Sequence, residues 1–219
     1  MGAINIEENQ RRREVCVGCS CPVSWIASVS KRTFDFVLSL LGCLVWSPFF
    51  LGIWVAIKLE DGGNAIFKQE RIGYRGKPFM IYKFRSMRET AEKNGKPQLC
   101  REDDDRLTKV GRFIRQHHLD ELPQLWNIVK GDMSFVGPRP ERKFFIDKIS
   151  AINPNYSLLY QLRPGVFSDA TLYNGYTDTM EKMLRRLEMD LDYLEHRSFW
   201  LDLKIIFKTV FFILSGKLF

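Results

Sequence analysis

Phe36-Val37-Leu38-Ser39-Leu40-Leu41-Gly42-Cys43-Leu44-Val45-Trp46-Ser47-Pro48-Phe49-Phe50-Leu51-Gly52-Ile53-Trp54-Val55-Ala56-Ile57 runs for 22 residues without a charge. A helix of that length covers roughly 30 Å of hydrocarbon, and such uniform apolarity is uncommon in a helix buried in a soluble core. Ser47-Pro48 sits at its midpoint. Proline removes an intrahelical hydrogen bond and clashes with the preceding turn, so a break or kink belongs there. The carbonyl it frees needs a partner at membrane depth, which the serine hydroxyl beside it can supply. Lys31 and Arg32 precede the run and Lys58 follows it, so the bias of basic residues toward one side of a membrane does not demand that the two ends lie on opposite faces. These features favour a re-entrant helix hairpin with Ser47 and Pro48 as the membrane break. A plain kinked span is the alternative.

Toward the C-terminus, Trp200, Leu201, Leu203, Ile205, Ile206 and the residues from Val210 to Leu214 are interrupted by Asp202, Lys204 and Lys208. Lys204 and Lys208 share one helix face. That suits a helix lying in the lipid interface with lysines reaching head groups; a core helix fits the same residues. Between the two apolar regions, Ala65 to Glu70 and Pro78 to Phe84 read as short strands joined around Tyr74-Arg75-Gly76-Lys77. Arg106 to Gln116, Asp120 to Lys130, Glu141 to Ile149 and Thr177 to Arg197 carry helical spacing of apolar residues. The expected fold is mostly α with a small β-hairpin.

A chain of 219 residues, 45% of them hydrophobic, can bury one core and is too short for two large domains. The net charge of +7 suits anionic partners without choosing among nucleic acid, lipid head groups and phosphorylated substrates. The five cysteines, Cys16, Cys19, Cys21, Cys43 and Cys100, are odd in number and widely spread, which argues against a disulfide framework. Three clustered thiols with no histidine close by argue against zinc. The first thirty residues carry Arg11-Arg12-Arg13 without a signal-peptide order and read as an extension, solvated or drawn to anionic lipid.

The chemistry concentrates in His117-His118-Leu119-Asp120-Glu121-Leu122-Pro123-Gln124-Leu125-Trp126-Asn127, followed by the residues from Lys130 to Pro140, which end in Pro138-Arg139-Pro140. Asp120 can serve as an N-cap, and Pro123 fits within a first helical turn, where its missing N–H costs nothing. The N-terminus of such a helix attracts phosphate. Ordinary capping explains the same acidic pair. Two prolines restrict the backbone around Arg139, lowering the entropy cost of aiming its guanidinium; a rigid turn with an idle arginine is the other reading.

Several segments together resemble one family along nearly the whole chain. They are Lys31-Arg32-Thr33-Phe34-Asp35, Ser47-Pro48, Phe67-Lys68-Gln69-Glu70-Arg71-Ile72-Gly73, Tyr82-Lys83-Phe84-Arg85-Ser86-Met87, the Asp-Glu run, Gly131 to Pro140, and Arg163-Pro164-Gly165. The chain is similar to the monotopic phosphoglycosyl transferases, also called bacterial sugar transferases or polyprenyl-phosphate hexose-1-phosphate transferases. The resemblance implies a monotopic membrane protein with an N-terminal re-entrant helix hairpin and interfacial amphipathic helices. Its parts would be a flexible extension (1–30), a re-entrant membrane helix (31–60) and a cytosolic catalytic domain with a C-terminal interfacial helix (61–219), at the bacterial inner membrane.

By the same resemblance Asp120 is the nucleophile on the sugar-linked phosphate of a UDP-sugar, and Glu121 helps hold Mg2+. The sugar 1-phosphate passes through an aspartyl intermediate to polyprenyl, by resemblance undecaprenyl, phosphate, releasing UMP and beginning capsule, O-antigen or exopolysaccharide assembly. Arg71, Lys83, Arg85, Arg115, Arg139 and Arg163 recur in or beside the matching blocks and suit a diphosphate. Asp190 and Asp192 match a late acidic patch, or else form an exposed helix face. Many relatives follow Arg-Pro-Gly with a Gly-Trp-Ala-Gln stretch. Here Val166-Phe167-Ser168-Asp169-Ala170-Thr171-Leu172-Tyr173 stands instead, so the sugar differs if that segment touches the donor. The expected partners are the two substrates and membrane lipids, with no nucleic acid; homodimerisation is open. Two rivals remain. One is a non-catalytic, membrane-anchored basic module binding anionic lipid or nucleic acid, which has no need of Asp120-Glu121 beside Pro-Arg-Pro. The other is a membrane-bound phosphohydrolase with water as acceptor.

Overall fold

The computed structural model describes residues 25–89, 91, 104–175 and 177–215. Arg11 to Arg13, Cys16, Cys19, Cys21 and Cys100 lie outside them. The chain divides into two compact units, Met1–Phe34 and Asp35–Phe219.

The apolar run forms two helices, α1 (Trp25–Val45) and α2 (Ser47–Asp61), bent by 59° at the break. Pro48 cannot donate to the Leu44 carbonyl four residues back, and Ser47 Oγ donates to that oxygen at 2.7 Å instead, the compensation expected at a proline break. Among the described residues no single helix is long and apolar enough to cross a membrane; the bent pair passes that test together, as a broken span or a re-entrant loop would. Leu41, Leu44, Val45, Phe49, Leu51 and Leu59 stay exposed, while Ile57 is buried. Gly62, in the left-handed region at φ 71°, ends α2 and returns its N–H to Lys58 O. Asp35 fastens the start of this region. Its carboxylate is buried and accepts Ser134 Oγ at 2.7 Å and the Phe135 N–H at 3.5 Å.

The hairpin pairs β1 (Ile66–Ile72) with β2 (Pro78–Phe84), antiparallel and in register from Ile66 opposite Phe84 to Ile72 opposite Pro78. β1 starts one residue later and ends two later than the sequence pattern indicates, because Ile72 gains a further bridge to Glu141. The turn, with Arg75 and Gly76 at φ 58° and 69°, is closed by the Gly73 N–H to Lys77 O at 2.9 Å.

The helices that follow depart from the bounds their periodicity gives. α3 spans Lys109–Gln116, starting three residues late because Thr108 Oγ1 caps it by accepting the Gly111 N–H. α4 spans Gln124–Lys130. α5 covers Lys143–Ile152 in place of Glu141 to Ile149, since Glu141 is taken by the bridge to Ile72. α7 covers Met180–His196 with Thr179 as its cap. Three elements were not expected from the sequence pattern. β3 (Ser134–Val136) and β4 (Gly165–Phe167) form a short parallel pair, and α6 (Asp169–Asn174) follows β4. A β-carbon on Gly165 would lie 2.1 Å from Gly137 N, so glycine there permits the close approach of the two chains.

Three cores hold this frame; one, of Ile57, Ala65, Phe84 and Ile114, joins α2, the hairpin and α3. Ile81, Ile128, Met133, Phe135, Val136, Leu172, Tyr193 and Ile205 join β2, α4, β3, α6 and α7 to the C-terminal helix α8 (Phe199–Leu214). Phe145, Ile149, Tyr156, Met183, Leu187 and Leu191 pack α5 and α7 around the 3-10 stretch Pro154–Gln161. α8 has one buried and one exposed face. Ile205 and Thr209 are buried, and Asp202 accepts Tyr193 Oη at 2.6 Å; on the opposite face Trp200, Phe207 and Phe211 are exposed. Lys204 is exposed, and Lys208 Nζ donates to Tyr173 Oη at 2.7 Å.

Candidate active site

Asp120 is not the N-cap of a helix that runs to Lys130. His118, held at φ 54°, opens a single 3-10 turn, Leu119–Glu121, with Asp120 inside it. Pro123 then occupies the N-cap position of α4 at φ −63°, where its missing N–H costs nothing. The tight turn frees Asp120 from a capping bond and buries it, leaving 7% of it exposed.

Asn127 sets where this turn lies. It is fully buried; its carboxamide oxygen accepts the Tyr82 N–H at 3.0 Å and its amide donates to Met80 O at 2.7 Å. A side chain of α4 thereby takes the place of a third strand on β2, and Lys83, the next residue along that strand, is brought to the Asp-Glu pair. Lys83 Nζ and Arg139 Nη2 each approach Glu121 Oε1 at 2.6 Å, and Glu121 Oε2 meets Arg139 Nη1 at 3.5 Å.

These neighbours push the two carboxyls apart. Burial raises Asp120 from 3.8 to about 6, with Lys83 opposing and Glu121 adding to the rise. Burial opposes the charge on Glu121 as well, but Arg139 and Lys83 overcome it and hold that carboxyl well below 4.5. Glu121 is therefore an anchor that is ionised at neutral pH, and Asp120 is a desolvated carboxylate, also charged at neutral pH, with a cation-rich surround. Paired carboxyls whose surroundings separate their pKa values in this way are an arrangement that active sites use to give two acids different roles. Burial lowers His118 below its ordinary value, so the imidazole is neutral.

A cavity of about 980 Å³ opens over the pair, lined by Arg71, Lys83, Arg85, Arg115 and Arg139 among others. Arg163 is not among its lining residues. Its Nε donates to Gly131 O at 3.0 Å and its guanidinium lies 5.0 Å from the Tyr74 ring centre, so it braces the end of α4. Its neighbours in the Arg-Pro-Gly block serve β3, with Pro164 O accepting the Ser134 N–H at 2.9 Å. Arg85, 6% exposed, pairs with Asp61 and with Glu89, and its Nε has no hydrogen-bond partner.

Glu141 was overlooked as a site residue by the sequence reading, although it directly follows Pro138-Arg139-Pro140. It lines the cavity and joins Arg71, at 3.2 Å, to Arg186; Arg186 also donates to Thr177 Oγ1 at 2.8 Å. Burial opposes its charge, and Arg186 and Arg71 outweigh that to lower its pKa. Asp190, one turn beyond Arg186, lies beneath the same segment and accepts the Arg139 backbone N–H, while burial raises it to about 7. Asp192 instead points outward and pairs with His196 at 3.2 Å. The i,i+4 spacing of Arg186 and Asp190 on an otherwise amphipathic helix was the available signal. Ala170 and Thr171, from the segment that departs from the family pattern, also line the cavity.

Among the described residues no group of three or more His, Cys, Asp or Glu is arranged to hold a metal ion. The oxygens of Asp120 and Glu121 nonetheless suit magnesium, which takes most of its ligands from phosphate and water.

A buried carboxylate pair thus lies under a cationic cavity in a chain that also carries a bent apolar helix pair. The model of the bacterial sugar transferase family matches residues 26–216, and the chain belongs to that family. It is 40% identical, over 85% of its length, to a UDP-N-acetylgalactosamine-undecaprenyl-phosphate N-acetylgalactosaminephosphotransferase of Aeromonas hydrophila, covering 44% of that protein. To UDP-glucose:undecaprenyl-phosphate glucose-1-phosphate transferases it is 41% identical in Escherichia coli K12 (87% of this chain, 41% of the relative) and 42% identical in Caulobacter vibrioides (82% and 68%). The chain thus spans less than half the length of the first two.

Proposed function

We propose that the protein transfers a sugar 1-phosphate from a UDP-sugar to undecaprenyl phosphate at the cytoplasmic face of the bacterial inner membrane, as a first step of capsule, O-antigen or exopolysaccharide assembly. The observation that carries this reading is the Asp120-Glu121 pair, one carboxylate desolvated and, among the described residues, in no ion pair at hydrogen-bond distance, the other clamped by Lys83 and Arg139.

A carboxylate oxygen of Asp120 attacks the sugar-bearing phosphorus of the donor. The bond from that phosphorus to the bridging oxygen breaks, and UMP leaves with the electron pair. A phosphate oxygen of the polyprenyl phosphate then attacks the same phosphorus, forming the polyprenyl diphosphate sugar and returning the carboxylate. Two displacements at one residue let a soluble donor and a lipid acceptor use the same site in turn. Lys83, Arg115 and Arg139 neutralise the diphosphate as charge moves to UMP. Magnesium, when bound, would offset the charge that repels an attacking carboxylate; Glu121 would help hold it, with donor phosphates and water supplying the remaining oxygens. Ala170 and Thr171 on the cavity wall make α6 the segment expected to choose the sugar. The helix pair α1 and α2 is proposed to be re-entrant, with both its ends on the cytoplasmic side.

The test is incubation with a panel of UDP-sugars, magnesium and polyprenyl phosphate, reading UMP release and the mass of the protein. UMP formed before acceptor is added, with a phosphosugar adduct on Asp120, is the expected result. UMP release that strictly requires acceptor, without an adduct, would replace the covalent route by direct transfer. Binding of anionic lipid without turnover of any UDP-sugar would favour the non-catalytic module.

A further inference from the structure

A second concavity, of about 570 Å³, adjoins the cationic cavity. Cys43, Phe50, Leu51, Tyr82, Pro123 and Trp126 line it, together with Trp54, Ile66 and Phe84. Those last three also line the cationic cavity, so the two spaces share a wall. Lys58 stands on the cationic side, with its ammonium 5.7 Å from the Trp54 ring centre. Trp126 and Leu51 are more than half exposed, and so large an apolar surface beside a charged site calls for an occupant.

We propose that this groove holds the phosphate-proximal isoprene units of the lipid acceptor, its phosphate passing Lys58 and the Trp54-Ile66-Phe84 wall into the cavity. The inference rests on the function proposed above. The occupant must be one apolar chain ending in a phosphate monoester, because the groove is apolar along its length and reaches cations only at the shared wall. A two-chain phospholipid, with a diester phosphate between its chains and its head group, has the wrong shape to extend a phosphate inward. Break and groove belong together, because Ser47-Pro48 turns α2 so that Phe50, Leu51 and Trp54 face the hairpin and α4. At about 570 Å³ the groove has the size of a small-ligand site, for which roughly 300–1,000 Å³ is usual. It therefore takes the first units of a long polyprenyl chain, and the remainder lies outside.

The experiment uses the whole chain in phosphatidylglycerol nanodiscs with a polyprenyl phosphate carrying a photoreactive diazirine in its first isoprene unit. Adducts on peptides containing Cys43 to Trp54 or Trp126, suppressed by excess unlabelled polyprenyl phosphate and not by added phosphatidylglycerol, are expected. Adducts confined to other surfaces such as the aromatic face of α8, or suppressed equally by phosphatidylglycerol, would overturn the proposal. This readout needs no turnover, so it separates failure of the groove from failure of the enzymatic reading. In the steady state, Trp126→Ala is expected to raise the acceptor KM relative to the donor KM by about tenfold, the scale of losing half the contact of a buried aromatic. Trp126→Phe should restore most of it. An equal rise in both KM values would place Trp126 outside the acceptor path.

Discussion

Replacing Asp120 by Asn should abolish turnover and make the protein more stable. The carboxyl is held at about 6 against an ordinary 3.8, a value that already includes attraction to Lys83, Arg115 and Arg139. For a carboxyl raised by folding, the folded state keeps a proton that the unfolded chain has released, so stability falls as pH rises from 3.8 to 6 and is level above. At ~1.4 kcal/mol per pH unit the cost is about 1 kcal/mol at pH 4.5 and about 3 kcal/mol at pH 7.5. Asparagine nearly preserves the shape and escapes the cost. Thermal unfolding of the detergent-solubilised pair should therefore show the variant roughly 6–12 °C more stable at pH 7.5, with the gap narrowing toward pH 4.5. Asp190, also raised, to about 7, is present in both proteins and cancels. Turnover should fall below about one per cent of wild type, the usual scale of nucleophile loss. A variant no more stable than wild type at pH 7.5 would refute the desolvated carboxylate, and retained turnover would refute its role as nucleophile.

Glu121→Gln leaves Lys83 and Arg139 facing an uncharged group, and should cost about 2–4 kcal/mol in denaturant melts as well as most of the activity. Because this carboxyl is held below 4.5, its contribution is complete above that pH and is lost as pH falls through its lower folded value; a pH-independent gap between wild type and variant would count against the pairing. Asn127→Ala removes the bonds to Tyr82 and Met80 and should cost about 2–4 kcal/mol by the same assay, with magnesium-dependent UMP formation reduced because Lys83 and Glu121 separate. Gly165→Ala puts a β-carbon 2.1 Å from Gly137 N and should cost over about 2 kcal/mol, against less than about 1 kcal/mol for the open position Gly52→Ala. Pro48→Ala restores a donor to Leu44 O and should straighten the helix pair toward a span. Cysteine labelling near Asn5 and Asn94, in a background free of native cysteines, would read this as the first site becoming accessible from outside intact cells. If both sites stay protected, packing rather than proline holds the bend.

The break at Ser47-Pro48, the hairpin and the acidic pair beside Pro-Arg-Pro were legible from the chain alone, because each depends on neighbours. Proline lacks its N–H whatever surrounds it, strands alternate over a few residues, and the serine that satisfies Leu44 is three positions away. Helix boundaries were less legible, since the caps at Thr108 and Thr179 and the Ile72 to Glu141 bridge compete with periodicity. The roles within the site were set by pairings that no local pattern contains. Lys83 meets Glu121 across 38 positions, Arg71 meets Glu141 across 70, and Ser134 meets Asp35 across 99. Arg163 and Arg139 both sit next to proline in matching blocks. Only packing made one a brace for Gly131 and the other the partner of Glu121. Asp120 and Glu121 are adjacent carboxylates of nearly equal intrinsic acidity, and their separation into a desolvated carboxylate and an ionised anchor is a property of burial and of which cations folding brings within reach, because both terms depend on distance in space and not along the chain.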